Sequence, residues 1–315
     1  MSFIIETKDL TKVYDGRAVV DHLNFKVGEG ELLSLLGPNG AGKTTTIKML
    51  TTILKPNHGT ASINNLDIQE ERQKIREMIS ITPQELTFYE DLSAKENLLL
   101  FGTMYGIRKK LLIEEAENLL KHLGLVKEKE RVKNFSGGMK RRLNFAIGII
   151  SNSKIFFLDE PTAGLDPQAR YIIWNIIQNL KKRGNTIIMT THDMHEADVL
   201  SDRVLIIDEG KIIAEGTPDE LKDKYSEHVI LEMKYKNDKG LLNMKEMLHG
   251  LNFIEEIKQI ADRTFHIYFN GAIVNFIKIL NKNIVNDVSE LEYMRLRQNT
   301  LEDVFLKLTG RRLRK

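Results

Sequence analysis

The chain has 315 residues, more than a single core usually organises, so a main domain with a smaller companion is expected. Its 46 basic and 44 acidic residues leave a formal charge of +2, too small to imply a nucleic-acid or membrane footprint. With 42% hydrophobic and 29% charged residues the composition is globular rather than disordered. The lack of cysteine excludes disulfides, thiolate metal sites and thiol catalysis, and is compatible with a reducing cytoplasm.

In chain order, Met1-Ser2-Phe3-Ile4-Ile5-Glu6 lacks the basic start and apolar core of a secretory signal and reads as an amphipathic strand. Residues 1 to about 35 alternate in short runs around Gly16, Gly28 and Gly30, which predicts a meander of antiparallel strands. The apolar run Leu32 to Leu36 then leads through a glycine-rich loop into a helix beginning near Lys43. From Leu92 to about Ile150 the pattern is helical, with Leu98, Leu119, Leu120 and Leu123 on apolar faces, as in an inserted helical subdomain over about 90–150. Apolar runs at Ile155 to Leu158, Thr186 to Met189 and Val204 to Ile207, with a helix from about Pro167 to Arg183, predict a βαβ core with a parallel sheet. The longest apolar runs, such as Leu98 to Phe101, are far shorter than the roughly 20 residues that span a bilayer, so no membrane crossing is expected.

After Lys224 the character changes. Strands are expected at His228 to Tyr235, Thr264 to Phe269 and Val288 to Leu296, and helices at Leu241 to Leu248 and Ile273 to Leu280, an order like a βαββαβ, ferredoxin-like unit. A helix from about Thr300 to Leu308 precedes the basic tail Arg311 to Lys315, which is either solvated or laid against anionic lipid headgroups. The expected division is therefore 1–222 and 223–315, an α/β P-loop core with an antiparallel β subdomain, an inserted helical subdomain and a small C-terminal α+β domain.

Two motifs carry chemistry. Gly37-Pro38-Asn39-Gly40-Ala41-Gly42-Lys43-Thr44-Thr45 fits G-x-x-x-x-G-K-[ST] after a strand and before a helix, the context that pattern requires. Glycines let successive N–H groups curl around phosphates, and the helix end adds its dipole. Lys43 would bring a point charge to the β- and γ-phosphates, Thr44 a hydroxyl to Mg²⁺, and Thr45 a phosphate hydrogen bond. Ile155-Phe156-Phe157-Leu158-Asp159-Glu160 places two acids at the carboxyl edge of the sheet. There Asp159 would hold the Mg²⁺ shell, directly or through water, and Glu160 would polarise the attacking water as general base. Together the motifs indicate a P-loop nucleotide hydrolase using ATP and Mg²⁺.

Phe135-Ser136-Gly137-Gly138-Met139 narrows this, because it resembles the signature motif, usually L-S-G-G-Q, of ATP-binding-cassette (ABC) ATPases. Ser136, Gly137 and Gly138 at a helix start form a second anion site. In the family that site closes on ATP held by the opposite subunit, so the resemblance implies a head-to-tail dimer of two copies. It also implies that Gln84 senses Mg²⁺ and links the site to the membrane partner, that Asp166 in Ala163-Gly164-Leu165-Asp166 lies on the loop crossing the dimer interface, that His192 contacts the γ-phosphate and that Tyr14 stacks on adenine. Met139 departs from the usual glutamine and offers no hydrogen-bond donor, so the glutamine's donor contact is not expected there.

The resemblance covers residues 3 to about 222, and the ending around Thr300 to Phe305 is similar to subunits of daunorubicin-type drug exporters and sodium-efflux systems. It implies an ATPase on the cytoplasmic face of the membrane, driving separate integral-membrane permease subunits, with no nucleic acid as partner. The family docks its permease after Gln84, over Leu86 to Tyr105, where Phe88 and Tyr89 are the expected exposed aromatics. The C-terminal domain is open to two roles, dimer packing or ligand regulation. The rival is a non-transport ABC ATPase acting on ribosomes or DNA; the tandem cassettes with a charged linker, or the long inserted coiled coils, of those branches are not found in this sequence.

Overall fold

Apolar runs buried on both faces set the architecture. A computed structural model describes residues 3–126, 130–151, 153–225, 229–236, 254–269, 291–297 and 299–310. Strand β4 (Leu32–Leu36) is buried throughout and lies mid-sheet, as near-continuous hydrophobic strands must when both faces are covered. It pairs in parallel with β9 (Thr186–Thr191) on one side and β10 (Arg203–Asp208) on the other. Beyond β9 follow β8 (Ile155–Asp159) and β7 (Ile79–Thr82), also parallel, and β11 (Lys211–Gly216) closes the far edge antiparallel to β10. Side-chain alternation sends the two faces of this sheet into two cores. Phe156, Leu158, Ile187 and Met189 join the helical side. Leu33, Leu35, Ile155, Phe157 and Ile188 join the side covered by an antiparallel sheet.

That second sheet contains β1 (Phe3–Tyr14), β2 (Arg17–Leu23), β3 (Lys26–Gly28), β5 (His58–Ile63) and β6 (Leu66–Asp67). Its hairpins use two-residue turns whose residues have positive φ, Asp15-Gly16 (49° and 78°) and Asn64-Asn65 (49° and 63°), which matches the right-handed strand twist. Helix α1 (Lys43–Leu50) follows β4, and α2 (Arg72–Met78) precedes β7.

The helical insertion contains α3 (Ala94–Met104), α4 (Lys109–His122) and α5 (Gly137–Ile149). α3 starts at a capping box in which Ser93 and Glu96 satisfy each other's backbone N–H groups. α6 (Pro167–Lys182) starts with Asp166 as cap and Pro167 in the first turn, where a missing N–H costs nothing. α7 (Met194–Leu200) is capped by Asp193, and α8 (Pro218–Tyr225) follows β11. No helix among the described residues is long and apolar enough to cross a membrane.

The chain divides into two compact units at Pro218/Asp219. In the second, strands β12 (Val229–Tyr235), β13 (Ile254–Ala261), β14 (Thr264–Phe269) and β15 (Leu291–Arg297) form an antiparallel sheet in the order β13-β14-β12-β15. Antiparallel neighbours make β12 parallel to β13 with β14 between them, and β14 parallel to β15 with β12 between them. These are two split β-crossover-β units, the ferredoxin-like arrangement. β13 is the fourth strand that the βαββαβ order implies, although the sequence patterning assigned no residues to it. The helices expected at 241–248 and 273–280, the strand start at 288 and the tail 311–315 lie outside the described residues. A final helix, α9 (Leu301–Thr309), turns its Leu301, Val304 and Phe305 inward and ends at Gly310 with φ +68°.

Candidate nucleotide site

The carboxyl ends of β4, β8 and β9 bring the chemistry together. Leaving β4, the backbone at Gly37 donates its N–H to the Thr191 carbonyl at 3.3 Å, and the loop turns through Gly40 (φ +81°) and Gly42 (φ +99°) into α1. Glycine is required at two places by space: a Cβ on Gly37 would lie 2.1 Å from the Ile207 carbonyl oxygen, and one on Gly42 2.4 Å from that of Val19. Asn39 and Gly40 are exposed at the loop tip, Pro38 and Thr45 half-buried, and Ala41 packs inward.

Lys43 is only 4% exposed. Its ammonium donates to the carbonyls of Gly37 (2.8 Å) and Pro38 (3.0 Å) and stands 3.6 Å from Glu160 Oε1. Burial lowers its pKa, while the Glu160 carboxylate works the other way. The Thr44 hydroxyl donates to Asp159 Oδ1 at 3.0 Å, and the Thr190 hydroxyl donates to the same oxygen. Burial raises the Asp159 pKa against these two bonds.

Glu160 occupies the left-handed region (φ +47°), a strained position for a residue with a Cβ, and its N–H donates to the Thr190 carbonyl (3.2 Å) and hydroxyl (3.0 Å). Three groups converge on its side chain. His192 Nδ1 lies 3.1 Å from Oε1, Gln84 Nε2 donates to Oε2 at 3.3 Å, and Lys43 completes the set. The contact with His192, ahead of burial, holds the Glu160 carboxyl below its usual range, and reciprocally the Glu160 contact raises His192.

Thus Gly37 to Thr44, Gln84, Asp159, Glu160 and His192 form one cluster. The others are used elsewhere. Ser136, Gly137 and Gly138 sit at the start of α5, where the Ser136 hydroxyl accepts from the Met139 N–H at 3.3 Å; Ser136 and Gly137 are exposed. Asp166 caps α6 by accepting from Ala169 N–H at 2.9 Å. Tyr14 is 45% exposed at the end of β1, with the Lys12 ammonium 5.4 Å from its ring centroid. Phe88 differs from expectation. It is half-buried and packs against the helical core, whereas Tyr89 is exposed at 56% and meets Phe101 at 6.2 Å between ring centroids.

Among the described residues no three His, Cys, Asp or Glu side chains form a metal cage. Thr44 and Asp159 nevertheless bring hard oxygen donors within 3.0 Å of each other, and Mg²⁺ bound mainly through substrate phosphates needs only one or two protein ligands.

The structure adds residues that the motifs do not mark. Glu196 is 1% exposed and accepts from Thr162 Oγ1 (2.6 Å) and Trp174 Nε1 (2.9 Å), tying the segment after Glu160 to the helix after His192. Burial pushes its carboxyl up, and the donors Thr162, Thr191 and Trp174 oppose this. Arg170 Nη1 donates to Asp193 Oδ2 at 2.6 Å beside it. The visible signals were an acid on the buried face of α7, beside Ala197 and Leu200, and the single tryptophan.

Comparison with known proteins fits this geometry. The ABC transporter family model matches residues 20–163, which include the loop, Gln84, Ser136 and the acid pair. The linearmycin resistance ATP-binding protein LnrL of Bacillus subtilis is 31% identical over 314 residues, 99% of this chain and 100% of that protein. The chain belongs to the ABC transporter family. As an ABC cassette it is also 43% identical to the daunorubicin/doxorubicin resistance ATP-binding protein DrrA of Streptomyces peucetius, over 72% of this chain and 69% of that one. A dimeric ATP-binding cassette solved in a post-hydrolysis state with ADP and phosphate superposes with a TM-score of 0.63 at 25% identity, covering 68% of this chain and 98% of its own. Two ABC transporter A family members of Dictyostelium discoideum match 98% of this chain, which spans 37% of their length. The first unit has the fold of ABC ATP-binding cassettes.

Proposed function

We propose that this cassette pairs head-to-tail with a second copy around two Mg-ATP and that hydrolysis drives separate integral-membrane permease subunits of an exporter, from the cytoplasmic face of the membrane. The observation that carries the reading is the placement of Glu160, whose carboxylate is met by His192 (3.1 Å), Gln84 (3.3 Å) and Lys43 (3.6 Å) while Ser136 and Gly137 are exposed at a separate helix start. One carboxylate with a lowered pKa stays deprotonated near neutral pH, as a general base must, and the His192 contact keeps it so.

The roles follow from the chemistry of each group. The loop from Gly37 to Gly42 wraps the phosphates with its N–H groups; Lys43 leaves the Gly37 and Pro38 carbonyls for the β- and γ-phosphates, and Thr45 adds a phosphate hydrogen bond. Thr44 and Asp159, with Gln84 nearby, would hold Mg²⁺, which neutralises phosphate charge. Glu160 takes a proton from the attacking water, His192 orients that water against the γ-phosphate, and Tyr14 stacks on adenine. Ser136, Gly137 and Gly138 supply a hydroxyl, N–H groups and a helix dipole to the partner copy's nucleotide, with Asp166 on the crossing loop. The exporter assignment is supported by the likeness to a drug-resistance protein and to the Nod factor export ATP-binding protein I of Cupriavidus metallidurans, 35% identical over 315 residues.

The deciding experiment is Glu160→Gln in saturating Mg-ATP, read by light scattering and nucleotide retention. A slowly dissociating dimer with two retained ATP is the expected result; a monomer that binds ATP would sink the shared-site reading.

A further inference from the structure

Gln84 lies in a stretch, residues 83 to 88, without regular secondary structure, so its position is set by what grips the neighbouring backbone. The grip comes from α5. Asn144 is 1% exposed; its Nδ2 donates to the Pro83 carbonyl at 2.9 Å and its Oδ1 accepts the Thr87 N–H at 2.7 Å. One amide thus serves a carbonyl and an N–H four residues apart, as a neighbouring strand would. Three residues, just under one turn, toward the helix start, the Arg141 guanidinium donates to the Gln84 carbonyl through Nη1 and to the Ala163 carbonyl through Nε at 3.3 Å. The helix capped by Ser136 therefore holds both the segment bearing Gln84 and the segment that follows Glu160.

We propose that Asn144 and Arg141 are positioning residues for ATP hydrolysis: they fix the Gln84 segment and the Ala163 carbonyl to α5, so that the Gln84 amide stands at the Glu160 carboxylate. This rests on the role given above to Gln84. The chemistry of the two side chains makes the assignment specific. Aspartate at 144 would keep an acceptor for Thr87 and lose the donor for Pro83. Lysine at 141 cannot reproduce a planar fork aimed at two carbonyls. Because displacement by an ångström at such a site costs orders of magnitude in rate, loosening the clip slows turnover without weakening the phosphate loop's hold on ATP.

The test uses the full chain and its basal ATPase activity, with Gln84→Ala, Asn144→Ala, Asn144→Asp, Arg141→Ala and the double variant Gln84→Ala/Asn144→Ala. Asn144→Ala is expected to lower kcat by about tenfold or more, to change the ATP concentration for half-saturation by less than about twofold and to raise the Mg²⁺ concentration needed, with Asn144→Asp intermediate. In the Gln84→Ala background the same change should cost less than about twofold, because the group it positions is gone. Arg141→Ala, at a half-buried surface position, gives the same readout should Asn144→Ala fail to fold. Losses that multiply in the double variant, or folded Asn144→Ala and Arg141→Ala proteins with unchanged kcat and Mg²⁺ dependence, overturn the positioning role alone. An unaffected Gln84→Ala protein overturns the role of Gln84 and the positioning role with it.

Discussion

Thr162→Val keeps the outline of a buried side chain and removes one hydroxyl, the donor of a 2.6 Å bond to Glu196. The acceptor is a carboxyl that is 1% exposed, with Trp174 at 2.9 Å and Thr191 as its remaining side-chain donors. A hydrogen bond to a charged buried group contributes about 1.5–3 kcal/mol, whereas one to a neutral group contributes about 0.5–1.5 kcal/mol. Which value applies depends on pH. The Glu196 pKa is raised above its ordinary 4.5 in the folded protein, so its favourable contribution is complete below that value and is lost as pH climbs through the folded pKa. The hydroxyl offsets part of this loss by supporting the charged form.

Thr162→Val should therefore cost about 1.5–3 kcal/mol on the alkaline side of the Glu196 titration in the folded protein and about 0.5–1.5 kcal/mol on its acid side. Denaturant unfolding followed by tryptophan emission measures it well, because Trp174 is the sole tryptophan and lies in the unit that ends at Pro218. The second unit has no tryptophan, so the emission reports on the first. A loss below about 0.5 kcal/mol at the higher pH, or a loss that grows on acidification, would refute the argument.

Two further outcomes follow from the cluster. Gly42→Ala forces a Cβ to 2.4 Å from the Val19 carbonyl oxygen at φ +99°, so nucleotide titration should show lost binding and thermal unfolding a lower midpoint; Gly40→Ala, with open space, should pay only the left-handed penalty of about 1–2 kcal/mol. His192→Ala removes the main influence that lowers the Glu160 pKa, so the acid limb of the kcat–pH profile should move to higher pH; a limb that stays in place contradicts Glu160 as the base.

Much of this was legible where backbone geometry demands a residue type. The loop from Gly37 to Gly42 admits only glycine at two positions, for reasons of contact distance, so the chain advertises it. Strands buried on both faces, such as Ile155–Asp159, read as unbroken apolar runs. β13 escaped because Ile254, Ile257 and Ile260 recur at helical spacing; register shifts after Ile254 and Gln259 break the two-residue alternation. Phe88 escaped because nothing local distinguishes an aromatic folded onto the helical core from its exposed neighbour Tyr89. Asn144 and Arg141 were invisible for a related reason: their partners are backbone groups 57 residues or more away for Gln84, Pro83 and Thr87, and backbone leaves no mark on the sequence.

The central position of β4 has a consequence for biosynthesis. Its neighbours begin at Thr186 and Arg203, and the oxygen that abuts Gly37 belongs to Ile207, so the bed of the phosphate loop is among the last parts of the first unit to be made. At about 5–20 residues per second, a ribosome takes roughly ten to thirty seconds to travel from β4 to β10. Until β9 is made, the nascent chain carries a complete loop motif with no parallel partner on either side of β4, and until β10 is made it has a partner on one side only. Nucleotide can select the finished fold only after β10 has emerged.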